Sequence, residues 1–83
     1  MQRTEIIRIV NNFLIEEIEI EESKLTDDAV LKDDLSIDSL DFVDIVVIVE
    51  RNFGFKIKPE EIMTEVPTLK AFYDYIESKM GDR

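Results

Sequence analysis

The stretch Asp38–Phe53, DSLDFVDIVVIVERNF, limits the fold more than any other part of the chain. Its second half is rich in valine and isoleucine, residue types that favour strands. A strand alternates its side chains between two faces. It would place Leu40, Phe42 and Asp44 on one face and Asp41 and Val43 on the other, burying an aspartate on each. A helix turns by about 100° per residue and avoids this conflict. Phe42, Ile45, Val46, Val49 and Phe53 then fall at i, i+3, i+4, i+7 and i+11, one continuous apolar arc. The β-branched residues weaken a helix only slightly, and packing can override that preference. The pattern therefore predicts a helix, with Asp38 or Ser39 as its N-cap.

The same helix carries a second stripe. Leu40, Val43, Asp44, Val47 and Arg51 fall at i, i+3, i+4, i+7 and i+11, with Glu50 beside them and Asp41 at the edge. A solvated face would be polar throughout. This one is apolar at its centre and charged at its rim, as transient protein-binding faces are. Packing against a neighbouring element of the same domain would account for it equally well, and the sequence leaves both readings open.

The flanking segments read as helices too. Thr4 can cap a first helix with Glu5 in its first turn, and Ile6, Val10, Phe13 and Leu14 follow at helical spacing until about Glu17 or Ile18. EIEIEES (Glu17–Ser23) alternates like a strand but is short and has no pairing partner. Glu19 to Asp38 reads as a long connection with one helical turn near Thr26–Val30, held to the core by Leu25, Val30, Leu31 and Leu35. Long loops in small domains are often functional. Gly54 suits a helix C′ position, and Pro59 with Glu60 and Glu61 suits the start of a short helix. Thr68 can cap a final helix whose Leu69, Phe72, Tyr73 and Ile76 share a face, with Lys79 in its last turn and Gly81 beyond. The expected fold is all-α: one domain over residues 1–83, a small four-helix bundle with a long loop between helices 1 and 2 and a short third helix.

Composition narrows the chemistry. The 83 residues include no cysteine and no histidine. Disulfides, thiolate metal sites and Ser-His-Asp or Cys-His catalysis are thereby excluded. DDLSIDSLD lacks the carboxylate spacing and distal glutamate of an EF-hand, so no defined metal site is expected, only loose divalent-cation binding by clustered acids. Twenty acids against ten bases leave a net charge of −10. Such a surface repels nucleic acid and anionic membranes and attracts basic protein surfaces, besides keeping the chain soluble. The longest unbroken apolar run, Ile45–Val49, is far too short to cross a bilayer, and Met1–Glu5 carries no signal-peptide pattern. A cytoplasmic monomer is the expectation.

Ser39 is the sharpest candidate. A serine at the start of a helix is ordinarily a cap and nothing more. An anionic group on its hydroxyl would nevertheless sit at the positive end of a helix dipole, beside free backbone N–H groups. Asp34, Asp38 and Asp41 would oppose that group electrostatically, so its covalent bond would hold it and a flexible attachment would project outward.

DLSIDSLDFVDIVVIVERNFGFKI resembles the acyl carrier protein family through Asp38-Ser39-Leu40-Asp41, the helix ending at Phe53, and the apolar Ile57. The order of elements through AFYDYIESK is similar as well, so the resemblance spans nearly the whole chain. It implies a four-helix bundle and a carrier rather than an enzyme. It implies that a phosphopantetheinyl transferase (holo-ACP synthase) attaches 4′-phosphopantetheine to Ser39, flanked by Asp38 and Leu40, and that the thiol of the arm carries acyl groups as thioesters. It further implies partners, acyl-chain synthases and transferases with basic docking patches. These would meet Asp38, Asp41, Asp44 and Glu50 together with Leu40, Val43 and Val47, and Arg51 would bear on partner choice. Ser36 stands where such carriers often have glycine, Phe42 where a small polar residue is frequent, and Arg51 where many have an acid. A dedicated carrier of a specialised lipid, polyketide or aminoacyl pathway fits these departures about as well as a fatty-acid carrier does. The other readings kept open are a peptidyl or D-alanyl carrier and an unmodified acidic helical adaptor.

Overall fold

The computed structural model describes residues 2–80. Among these, four α-helices form: α1 (Arg3–Glu16), α2 (Ser39–Phe53), α3 (Pro59–Glu65) and α4 (Leu69–Met80). The one β-bridge among the described residues pairs Val30 with Thr68. α1 lies against α4, and α2 against α3.

The periodic residues of the sequence form the core. Ile6, Val10, Phe13 and Leu14 of α1 are buried, as are Phe42, Ile45, Val46, Val49 and Phe53 of α2 and Leu69, Phe72, Tyr73 and Ile76 of α4. α3 adds Ile62. The Phe13 and Phe72 rings meet edge to face, with centroids 6.5 Å apart, and join α1 to α4. The buried Tyr73 hydroxyl donates to Asn11 Oδ1 of α1, so the core holds no orphaned hydroxyl there.

The helix ends follow local chemistry, with one exception. Gly54 takes φ +83° and closes α2, a conformation that costs glycine nothing. Pro59 opens α3. Thr68 Oγ1 accepts from Ala71 N at 3.2 Å, as an N-cap does. Thr4, however, lies inside α1: Gln2 is the N-cap and makes no side-chain capping bond. The amides of Glu5 and Ile6 bond the Gln2 carbonyl instead, which moves the start of the helix two residues upstream of the predicted cap. Gly81 lies outside the described residues.

The long connection is built from turns. Glu22–Lys24 form a short 3-10 turn that overlaps the end of the segment that alternates like a strand, and Ala29 N bonds Thr26 O at 3.0 Å in the region predicted to turn. Leu31 and Leu35 are buried as expected, and Leu25 packs on the core from its edge. Val30 is not a core residue; Ala29 and Ile37 are buried instead. The reason is tertiary. Leu31 N bonds Pro67 O at 3.0 Å and Leu69 N bonds Ala29 O at 2.9 Å, stitching the loop to the joint between α3 and α4. That pairing turns Val30 outward. Val30 N also donates to Asp34 Oδ2 at 2.8 Å, and Asp34 N to Val30 O at 2.7 Å, so residues 30–34 close on themselves just ahead of α2.

Candidate functional site at the head of helix α2

The cap of α2 is Asp38. Its Oδ1 accepts from Asp41 N at 3.0 Å, while Asp41 Oδ2 accepts from Asp38 N at 3.4 Å, a reciprocal capping box. Ser39 is therefore the first residue inside the helix, not its cap. Its side chain is exposed and takes part in no hydrogen bond among the described residues. The ordinary reason for a serine at this place is already met by its neighbour.

Backbone geometry fixes how the hydroxyl is presented. Ser36, three residues earlier, has φ +57°, in the left-handed region that disfavours residues with a Cβ. A glycine at this position would adopt the same backbone turn without that penalty. Ile37 is buried and its amide bonds Leu31 O at 3.0 Å, so the chain enters α2 anchored on both sides of the turn. The amides at the start of α2 have no partner within the helix. They face the same end as Ser39 and leave a weakly positive backbone pole amid carboxylates.

The second stripe is open. Leu40 is 75% exposed, Val43 47% and Val47 55%, far more than a packed interface within the domain would allow. Asp44, Glu50 and Arg51 are exposed beside them, and Asp41, tied into the capping box, is half-buried. Met63 on α3 is the further large apolar side chain exposed among the described residues. Of the two readings left open, packing against a neighbouring element is excluded. All the candidate residues lie on α2 or at its N-cap.

One participant escapes the sequence pattern. Arg51 Nη2 donates to both carboxylate oxygens of Glu17, at 3.0 and 3.2 Å, across 34 residues of chain. Nothing in the local sequence marks Glu17, because its role depends on where the end of α1 meets α2. Among the described residues, no group of three or more carboxylates could hold a metal ion. No helix among them is long and apolar enough to cross a membrane.

Comparison with known proteins agrees with this geometry. The family described as phosphopantetheine attachment site matches residues 8–76. The acyl carrier protein of Coprothermobacter proteolyticus is 36% identical over 80 residues, which cover 96% of this chain and 96% of that protein. The acyl carrier protein of Thermotoga maritima is 38% identical over 79 residues, covering 95% and 96%. The head of α2 suits the group that such proteins hold. A free, exposed hydroxyl stands where a phosphodiester can form, and neighbouring backbone N–H groups can receive part of its charge. The chain belongs to the acyl carrier protein family, carriers rather than enzymes, whose reactive group is a covalently bound 4′-phosphopantetheine.

Proposed function

We propose that Ser39 is the attachment residue and that the protein delivers acyl intermediates to enzymes of fatty-acid or related lipid or polyketide biosynthesis in the cytoplasm. The observation that carries this reading is the free Ser39 hydroxyl at the first position of α2, with Asp38 acting as the cap. In the loading step Ser39 Oγ bonds to the phosphorus that bears the pantetheine of coenzyme A. The pyrophosphate P–O bond breaks, 3′,5′-ADP leaves, and the hydroxyl proton passes to a base of the transferase. The attached arm supplies a thiol, which this cysteine-free chain lacks.

The chain's own part is to present, orient and dock. The capping box fixes the first turn of α2, so Ser39 is held at a constant place relative to the exposed stripe. Leu40, Val43 and Val47 offer apolar contact, and Asp38, Asp41, Asp44 and Glu50 draw basic surfaces of the phosphopantetheinyl transferase and of acyl synthases and transferases.

Intact mass tests the reading. The protein and its Ser39→Ala variant are incubated with coenzyme A, magnesium and a broad-specificity phosphopantetheinyl transferase. Wild type alone should gain one phosphopantetheine. A loaded Ser39→Ala variant would place the attachment elsewhere. No gain in either protein, with a known carrier loading in parallel, would favour the acidic adaptor.

A further inference from the structure

Charge is segregated along α2 and its flanks. Between residues 33 and 44 lie five aspartates (Asp33, Asp34, Asp38, Asp41 and Asp44) and no base. Between residues 51 and 58 lie three bases (Arg51, Lys56 and Lys58) and no acid, although the exposed Glu50 immediately precedes them and Glu17 pairs with Arg51. Apart from the half-buried Asp41, all of these are exposed. The exposed apolar residues Leu40, Val43 and Val47 sit on the helix between the two ends. Arg51 shares their stripe and follows Asp44 by seven residues, about 10 Å along the axis.

Arg51 is also held. Glu17 engages Nη2 alone, so the other guanidinium N–H groups are left for a second acceptor. A cation tethered this way keeps its position at the rim, where a partner meets it.

We propose that this face, together with the loop after it, is a bipolar docking surface. Its partner is an acyl-processing enzyme that is basic around the Ser39 end and acidic opposite Arg51 and Lys56. Arg51 is then a specificity residue that disfavours enzymes whose docking patch is basic throughout, since a like charge at the rim penalises the wrong partner. This rests on the carrier reading above. Acids near the N-terminus and bases near the C-terminus of a helix also stabilise the helix itself. That effect fades beyond the terminal turns, and Asp44, Lys56 and Lys58 lie outside them.

The test uses a fatty-acid β-ketoacyl synthase with a uniformly basic docking patch. Wild type, Arg51→Glu, Arg51→Gln and Lys56→Glu are loaded with acyl-phosphopantetheine, checked by intact mass, and assayed as substrates. Each charge reversal should lower KM about two- to fivefold at low ionic strength, with kcat unchanged. The difference should vanish near 1 M salt, where screening acts within about 3 Å. Thermal melts of the same variants record any effect on the helix, which a purely structural role would move without moving KM. An unchanged or raised KM in fully loaded variants overturns the bipolar face. Failure to load at Ser39 overturns the carrier reading instead. If Arg51→Glu does not fold, Arg51→Gln and Lys56→Glu decide the matter.

Discussion

Replacing Asp38 should destabilise the protein, whereas replacing Ser39 should not. Asp38→Ala removes the acceptor of Asp41 N and breaks the capping box. Loss of a helix N-cap costs about 1 kcal/mol, within a range of about 0.5–2. Loss of the carboxylate from the positive helix end adds a few tenths. Relief of repulsion from Asp34, Asp41 and Asp44 returns a similar amount, so about 1 kcal/mol remains. For a chain of this size that is a fall in Tm of about 4–8 °C. Ser39→Ala removes a hydroxyl that bonds nothing and puts a better helix former at an exposed helical position. Its effect should stay within about 0.5 kcal/mol of zero. Asp38→Asn keeps a capping oxygen and should fall between the two. Urea unfolding followed by far-UV circular dichroism, with a common m-value, measures all three. A Ser39→Ala variant as unstable as Asp38→Ala would refute the assignment of the cap, and with it the argument that the Ser39 hydroxyl is free.

Three further outcomes follow from the same structure. Ser36→Gly should stabilise by up to about 1 kcal/mol, because glycine escapes the left-handed penalty at φ +57° but loses more chain entropy on folding; a lower urea midpoint would contradict this. Phe72→Ala should cost about 3–5 kcal/mol, enough to unfold most of so small a domain, and a cooperative native-like melt would argue against the Phe13–Phe72 contact as a core joint. Burial, then the hydrogen bond to Glu61, raises the Tyr75 hydroxyl above its ordinary value of 10.0. The unfolded chain therefore gives up that proton first. The resulting stability is whole below pH 10 and falls as pH climbs from there towards the folded value, and Tyr75→Phe should make the decline shallower in alkaline unfolding curves.

Much of this protein is written locally. Helical spacing needs only the chain's own geometry, so the core faces of α1, α2 and α4 are legible in Ile6, Phe42, Phe72 and their periodic partners. Gly54, Pro59 and Thr68 act through their own backbone or side chain and mark helix ends without help from the fold. The serine at the head of α2 is visible for the same reason. Choosing between adjacent caps is harder, because Asp38 and Ser39 differ by one residue and either could accept the bond; the backbone turn at Ser36 and the anchoring of Ile37 decide it. Thr4 misleads because carbonyl bonding from Gln2 can start a helix without a side-chain cap.

What the tertiary structure alone decided is what each helix face meets. α2 carries a wholly apolar arc and a mixed stripe, and periodicity marks the first as core but cannot say whether the second is covered as well. The packing of α3 and the other helices buries Phe42 and Ile45 and leaves Leu40, Val43 and Val47 to solvent. The loop followed the same rule: Ala29 rather than Val30 faces inward because the strand-like bridge to Thr68 sets its orientation. The pairing of Arg51 with Glu17 spans 34 residues and exists only because α1 ends beside α2. Local sequence encodes the helices and the serine at the head of α2, since those depend on neighbours three or four residues away. The exposure of the mixed stripe and the pairing of Arg51 with Glu17 depend on contacts between distant segments, which no local pattern contains.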